Sequence, residues 1–502
     1  MTTTPARPVT APPARSAASV TPPPDHTVRR RWTGFAVVLT AMVMNLLDAT
    51  VVNVAAPSIQ RDLGSSTAQL EWTAAAYTLA IAVGLLTGGR LGDRHGRTPL
   101  LLLGLAGFTA ASTACAFAWS PSSLIAFRVL QGLAAALLTP QTFGLIRDLF
   151  PPDQIGKAFA AFGPVIGLST VAGPIVAGLL VQWNPGGSSW RSIFLLNLPL
   201  GLAAMVVGAK VLPAGRRQPA VRIDLVGTLL MAAVSVLLVF PLVDGRALGW
   251  PVWIFVVLAA AAPVLVVFVR QQRRRVWHGL TPLLETSVLR KRSYLAGIVF
   301  TLVFFGAIVG FSLTLGLFLQ LGLGLSAVHA SFWMAALAVG AFLGSGVGAW
   351  AAQALGRPIL HVGLAIMAVG VVVELAHLHA VAAGDVVGAG TVVPGLVVYG
   401  FGMGMIFVPL FSIITGEIAD HEVGSASGML EAFQQLGASL GVAVLGTVFF
   451  GRFALERGGP AVAVAAGRHL GAIEATMTVT LGLLALAFLV GAFLPRRAAR
   501  HG

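Results

Sequence analysis

What most constrains this chain is a succession of long apolar runs. They lie near residues 33–55, 71–90, 99–119, 123–145, 158–182, 191–212, 222–243, 251–270, 295–320, 329–351, 358–380, 391–414, 425–450 and 472–495, about fourteen in all. Most come close to the ~20 residues with which an α-helix crosses a bilayer. They are unbroken and do not alternate, which excludes the strands of a membrane β-barrel. The chain is 57% hydrophobic and 10% charged, against about 25% charged residues in soluble domains. The fold class expected is therefore an all-α integral membrane protein. Its single cysteine, Cys115, sits inside an apolar run, so no internal disulfide can form.

Residues 1 to about 28 are rich in Pro, Ala, Thr and Ser and read as a disordered tail. The formal net charge of +14 could suggest a nucleic-acid partner, but its placement argues for topology. With the N-terminus inside, roughly 25 of the 32 Lys and Arg fall on cytoplasmic segments and six on external ones; Arg128 lies within a helix. An even number of spans then puts both termini in the cytoplasm. The basic excess faces anionic lipid headgroups, and no nucleic-acid partner is expected.

The stretch Gly88–Leu103 (GGRLGDRHGRTPLLLL) joins two apolar runs through three arginines and an aspartate. Such charge is too costly for the bilayer core, so it must lie in water or among headgroups. The order Gly89-x-Leu91-Gly92-Asp93-Arg94-x-Gly96-Arg97 resembles the signature between helices two and three of the major facilitator superfamily, with Thr98 where lysine is common. A weak internal repeat supports this: Gly356-Arg357 aligns on Gly96-Arg97, with Gln353 in place of Asp93. The resemblance implies two six-helix halves. The domains expected are a tail over 1–28, an N-terminal half over 29–215, an inserted helix pair over 216–275, a cytoplasmic connector over 276–294 and a C-terminal half over 295–502. Within the connector, Pro282–Leu289 could form a short surface helix.

Charge inside an apolar run is a functional candidate by default. Asp48 lies in the first run and Arg128 in the fourth. At 1.5 Å per residue, Asp48 stands about 22 Å from one end of its helix and Arg128 about 9 Å from the opposite end of an antiparallel one. The two therefore share a depth, and a charge-compensated pair is feasible. Such a pair can act as a proton switch. Glu431 is either a second proton or cation site or a side chain that reaches the interface. Glu374, His377 and His379 read as interfacial, and Asp420, His421 and Glu422 as a solvated loop.

The fifth run carries Gly163-Pro164 and Ser169-x-x-x-Gly173-Pro174-x-x-Ala177-Gly178. Plain helix packing explains these residues as well as function does. The element is similar, however, to the Gly-Pro motif that marks proton antiporters within the superfamily. Trp190-Arg191-x-x-Phe194-x-x-Asn197-x-Pro199-x-Gly201 and the Asp48 segment resemble the fourteen-helix drug:proton antiporter subfamily. The resemblance implies a central cavity, to which this sequence offers Asn45, Asn53, Gln131, Phe304, Phe305, Tyr399 and Phe411. That mixture suits a lipophilic or cationic guest better than a sugar.

No Walker-type loop or metal-ligand spacing is present, and no catalytic set converges, so neither a cofactor nor enzymatic activity is expected. The function expected is proton-driven export of drugs or antibiotics across the plasma membrane, with the proton gradient as energy source. The alternatives are export of one metabolite and, from another class, a non-transporting membrane receptor or scaffold.

Overall fold

The computed structural model describes residues 25–151, 154, 173–213, 223–280, 282–283, 291–380, 388–415, 423–457 and 470–495. They form α1 (Asp25–Leu63), α2 (Thr67–His95), α3 (Arg97–Ala116), α4 (Pro121–Leu149), α5 (Gly173–Trp183), α6 (Arg191–Val211), α7 (Leu225–Asp244) and α8 (Val252–Trp277). The second part comprises α9 (Arg292–Gly322), α10 (Ala327–Leu355), α11 (Pro358–Ala380), α12 (Ala389–Thr415), α13 (Val423–Arg457) and α14 (Leu470–Gly491). Thirteen of these are long and apolar enough to cross a membrane, and there is no strand among the described residues. Gly163, Pro164, Ser169, residues 284–289, Asp420, His421, Glu422 and the first 24 residues lie outside the described part.

Polar side chains start several of these helices. Ser66 and Gln69 form a reciprocal capping box at α2, and Ser120 caps α4 with Pro121 in its first turn. α1 begins at Asp25, inside the stretch expected to be a tail. The Gly88–Leu103 segment also differs from expectation. α2 stays helical to His95 and α3 resumes at Arg97, so the break is Gly96 alone, at φ +98°. A side chain would strain that backbone. Gly356, at φ +62°, makes the matching break between α10 and α11.

The packing itself repeats. α2 and α3 pack on α4, and α1 and α3 on α6; likewise α10 and α11 pack on α12, and α9 and α11 on α14. Close backbone approaches recur in both halves too. A methyl group on Gly132 of α4 would sit 2.4 Å from the Tyr77 carbonyl oxygen of α2, and one on Gly400 of α12 would sit 1.9 Å from that of Leu337 on α10. In lipid, where neighbouring helices gain little from the hydrophobic effect, such backbone proximity is a principal source of association.

α7 and α8 pack on each other, and α7 rests against α2 and α13. Asp224 ties this pair together at one end. It caps the Gly227 amide and accepts from Gln271 at 2.9 Å and Gln272 at 2.7 Å, with Arg275 Nε at 3.3 Å. α8 leaves Val252, Phe255, Val256, Val266 and Val267 exposed, an apolar surface suited to lipid.

Gly96 defines a turn face of the bundle. At the opposite face the two halves touch: Gln320 of α9 donates to the Val54 carbonyl of α1 at 3.1 Å, and Ser439 of α13 to that of Ala75 on α2 at 3.2 Å. Glu374, expected at the interface, does not face outward near its helix end; it is fully buried between α11 and α12, and neither carboxyl oxygen has a hydrogen-bond partner among the described residues. His377 and His379 are exposed, the latter 3.3 Å from Glu474.

Candidate functional site: a buried ion pair among five helices

Asp48 on α1 and Arg128 on α4 meet in the interior of the first half, both about 1% exposed. Arg128 Nη1 donates to Asp48 Oδ2 and, at 3.0 Å, to Gln131 Oε1. Its Nε donates to the Thr73 carbonyl of α2 at 3.1 Å, and its guanidinium lies 4.0 Å over the Tyr77 ring. Gln131 Nε2 returns a bond to Asp48 Oδ1 at 2.8 Å. Asn197 of α6 approaches the same oxygen at 3.4 Å and is held by Ser112 of α3 at 3.0 Å. Ser112 in turn donates to the Phe194 carbonyl at 2.9 Å, and Cys115 lies 3.6 Å from Gln131 Oε1.

Removing two ions from water costs several kcal/mol each, and attraction offsets that cost only where the remaining lone pairs and protons are satisfied. This site goes most of the way to meeting that condition. The carboxylate has donors on both oxygens, and the guanidinium has three acceptors and an aromatic face. A neighbouring chain runs along the same helices: Tyr77 donates to Asn45 Oδ1, and Asn45 Nδ2 donates to Thr139 at 3.0 Å.

Asp48 meets Arg128 at the depth that helical rise gives both. Depth alone does not reveal Asn197, Ser112, Thr73 or Tyr77 as partners. For Asn197 a signal existed, as a polar residue inside the motif that begins α6. Gln131, assigned from the resemblance to the cavity, is bonded into the ion-pair network instead and is fully buried. Glu431 does not join the network; it sits half-buried on α13 and accepts from Gln435 at 3.4 Å.

Arg97 of the turn motif reaches α4, donating to the Gly144 carbonyl at 3.1 Å and pairing with Asp148 at 3.1 Å. Gly89 passes Pro140 at ordinary contact distance, Asp93 is half-buried and Arg94 is exposed. Gly173 and Pro174 are buried at the start of α5, and Gly178 lies against Ala327 and Ser331 of α10, across the boundary between the halves. Of the remaining cavity candidates, Phe304, Phe305 and Tyr399 are buried in aromatic contacts on α9 and α12, whereas Phe411 is half-buried. Asn53 lies on α1, and its side chain is outside the described part.

Two repeated six-helix halves with an inserted pair, and a buried ion pair inside one half, define a membrane transporter fold. Residues 38–442 match the family model of the Major Facilitator Superfamily, and the chain belongs to that family. It is similar to a probable actinorhodin transporter of Streptomyces coelicolor, 46% identical, over 88% of this chain and 77% of the relative. A puromycin resistance protein of Streptomyces alboniger is 36% identical over 88% and 86%. The tetracenomycin C resistance and export protein of Streptomyces glaucescens is 32% identical over 84% and 77%. Among solved structures, a POT peptide transporter in complex with sulfate superposes with a TM-score of 0.63 at 18% identity, covering 92% of this chain and 95% of that chain. The chain is thus a multi-pass membrane transporter and not an enzyme.

Proposed function

We propose that this transporter exports lipophilic or cationic drugs or antibiotics across the plasma membrane in exchange for protons, and that Asp48 carries the proton. The observation that carries the proton assignment is the fully buried Asp48–Arg128 pair. The export relatives support the drug assignment, and the basic excess of the turn face supports a cytoplasmic position for that face and both termini. Substrate and protons are the partners, with lipid headgroups around the basic loops; no cofactor or nucleic acid is required.

When Asp48 is ionised, Arg128 is anchored to α1 by charge. A proton on Asp48 removes that attraction and leaves Arg128 with the Thr73 carbonyl, Gln131 and the Tyr77 ring, all on α2 and α4. The hold between α1 and α4 weakens. α4 also carries Gly144 and Asp148, the partners of Arg97. One helix therefore links the proton site to the turn motif, and a shift of α4 would reach the turn-face gate without a separate relay. Phe411 and Phe407 on α12, both half-buried, face such a guest better in this state than the buried Phe304 or Tyr399.

Proteoliposomes holding wild type or Asp48→Asn, loaded with ethidium and given a pH gradient, test this reading. Gradient-dependent transport lost in the variant supports it. Coupled transport that survives moves the proton elsewhere, with Glu431 the next residue to replace. Several relatives are named for one antibiotic, which favours a second reading, export of a single compound. Absence of transport for a broad set of drugs would select that reading.

A further inference from the structure

The register that sets Gly356 on Gly96 also sets Ser331 of α10 on Glu71 of α2. Both residues lie one turn into their helices at the opposite face, and both meet a glycine of the other half. A methyl group on Gly178 of α5 would sit 2.4 Å from Ser331 Oγ; one on Gly446 of α13 would sit 3.0 Å from Glu71 Cδ. The fold thus builds the same seam twice. In one copy the side chain is a small hydroxyl, satisfied within its own helix by the Ala327 carbonyl at 2.7 Å. In the other it is a fully buried carboxyl.

That carboxyl is poorly served for an anion. Arg246, from the connection between α7 and α8, approaches Oε1 at 3.4 Å but gives its short bond, 2.7 Å, to Thr67 Oγ1. Its guanidinium lies 5.4 Å from the Phe450 ring of α13, and its Nε has no acceptor among the described residues. Glu71 Oε2 is buried without a hydrogen-bond partner among the described residues. Charge-assisted pairs in well-formed sites are shorter and often bidentate. Among the described residues the other charge facing Glu71 is Asp244 at the end of α7, held by Trp72 Nε1 at 2.6 Å. α13 presents Gly446, Phe450 and Gly451 here, none titratable. Packing requires only a small side chain at this point, as Ser331 shows, so packing does not account for Glu71.

We propose that Glu71 is a second proton-binding site, loaded when the α2–α13 seam closes at the opposite face and emptied when it opens, with the inserted helix pair supplying Arg246 as its counter-ion. Closing expels water and favours the neutral acid; opening admits water and favours the carboxylate, which can then engage Arg246. The seam-closed state therefore binds one more proton, and acid favours closure. One linked proton changes the closed-to-open ratio by at most about tenfold per pH unit. The site stands apart from Asp48 and does not depend on its role.

The test uses the full chain in nanodiscs with spin labels on Arg61→Cys and Arg452→Cys, exposed positions on the two halves; the native Cys115 is buried. Distance distributions are recorded across a pH series. Wild type should move from short to long distances as pH rises. Glu71→Gln, and Glu71→Ser, which copies the other seam, should flatten that response toward the closed state. Asp48→Asn should keep the part of the response that Glu71 controls. The proposal is overturned if either Glu71 variant titrates like wild type, or if Asp48→Asn alone is flat. Should Glu71→Gln not yield folded protein, Glu71→Ser decides.

Discussion

Replacing Arg128 with methionine isolates what holds the candidate site together. The variant keeps the volume of the side chain but leaves Asp48 with Gln131 and Asn197 as donors and no cation. Both members of the pair are within about 1% of full burial, so no discount for solvent screening applies. Removing one partner of such a pair costs about 3–5 kcal/mol, because the other charge stays buried alone, whereas removing both is often close to neutral. Arg128→Met should therefore be less stable than Asp48→Asn/Arg128→Met by about 3–5 kcal/mol, so that the two substitutions are strongly non-additive in the double-mutant cycle. The loss also has a sign in pH. An unpaired Asp48 is harmful while charged, so the penalty is full at high pH and shrinks as acid supplies a proton in place of the arginine. Equilibrium unfolding in detergent, followed by tryptophan fluorescence at several pH values, reads both effects. Equal stability of the single and double variants, or a penalty independent of pH, would refute the view that this is a charge-compensated pair.

Two further outcomes follow from packing. A methyl group on Gly88 would sit 2.2 Å from the Ala136 carbonyl oxygen, a backbone atom that cannot rotate away, whereas one on Gly89 would meet nothing nearer than 3.7 Å. Gly88→Ala should cost about 1–3 kcal/mol and Gly89→Ala no more than about 0.5 kcal/mol in unfolding measurements; equal effects would refute the close α2–α4 approach. Glu374 is buried with neither oxygen bonded among the described residues, so Glu374→Met should stabilise the protein by about 1–3 kcal/mol. A drop in melting temperature would show that the acid has a partner in the membrane.

Spans, repeat and ion pair differ in how far the chain alone discloses them. The apolar runs located the helices because water and lipid impose a length and a polarity that any membrane helix must meet. The internal repeat was legible at Gly356-Arg357 because a break of one or two residues between helices demands a glycine at positive φ. The depth of Asp48 and Arg128 was legible too, since helical rise converts residue number directly into height. Height says nothing about which way a side chain faces around its axis. That angle depends on neighbours many residues away: Asn197 reaches Asp48 because α6 packs on α1 and α3, and Glu374 turns inward because α11 lies flat on α12. Glu71 passed unnoticed for the same reason, near a helix end where an acid would ordinarily meet water; tertiary packing brought Gly446 and Arg246 over it. The sequence by itself determined a many-helix membrane protein with charge at defined depths. Tertiary structure alone decided which charges meet and which are stranded, because contacts between helices depend on rotation about their axes, and rotation is settled only when whole helices pack.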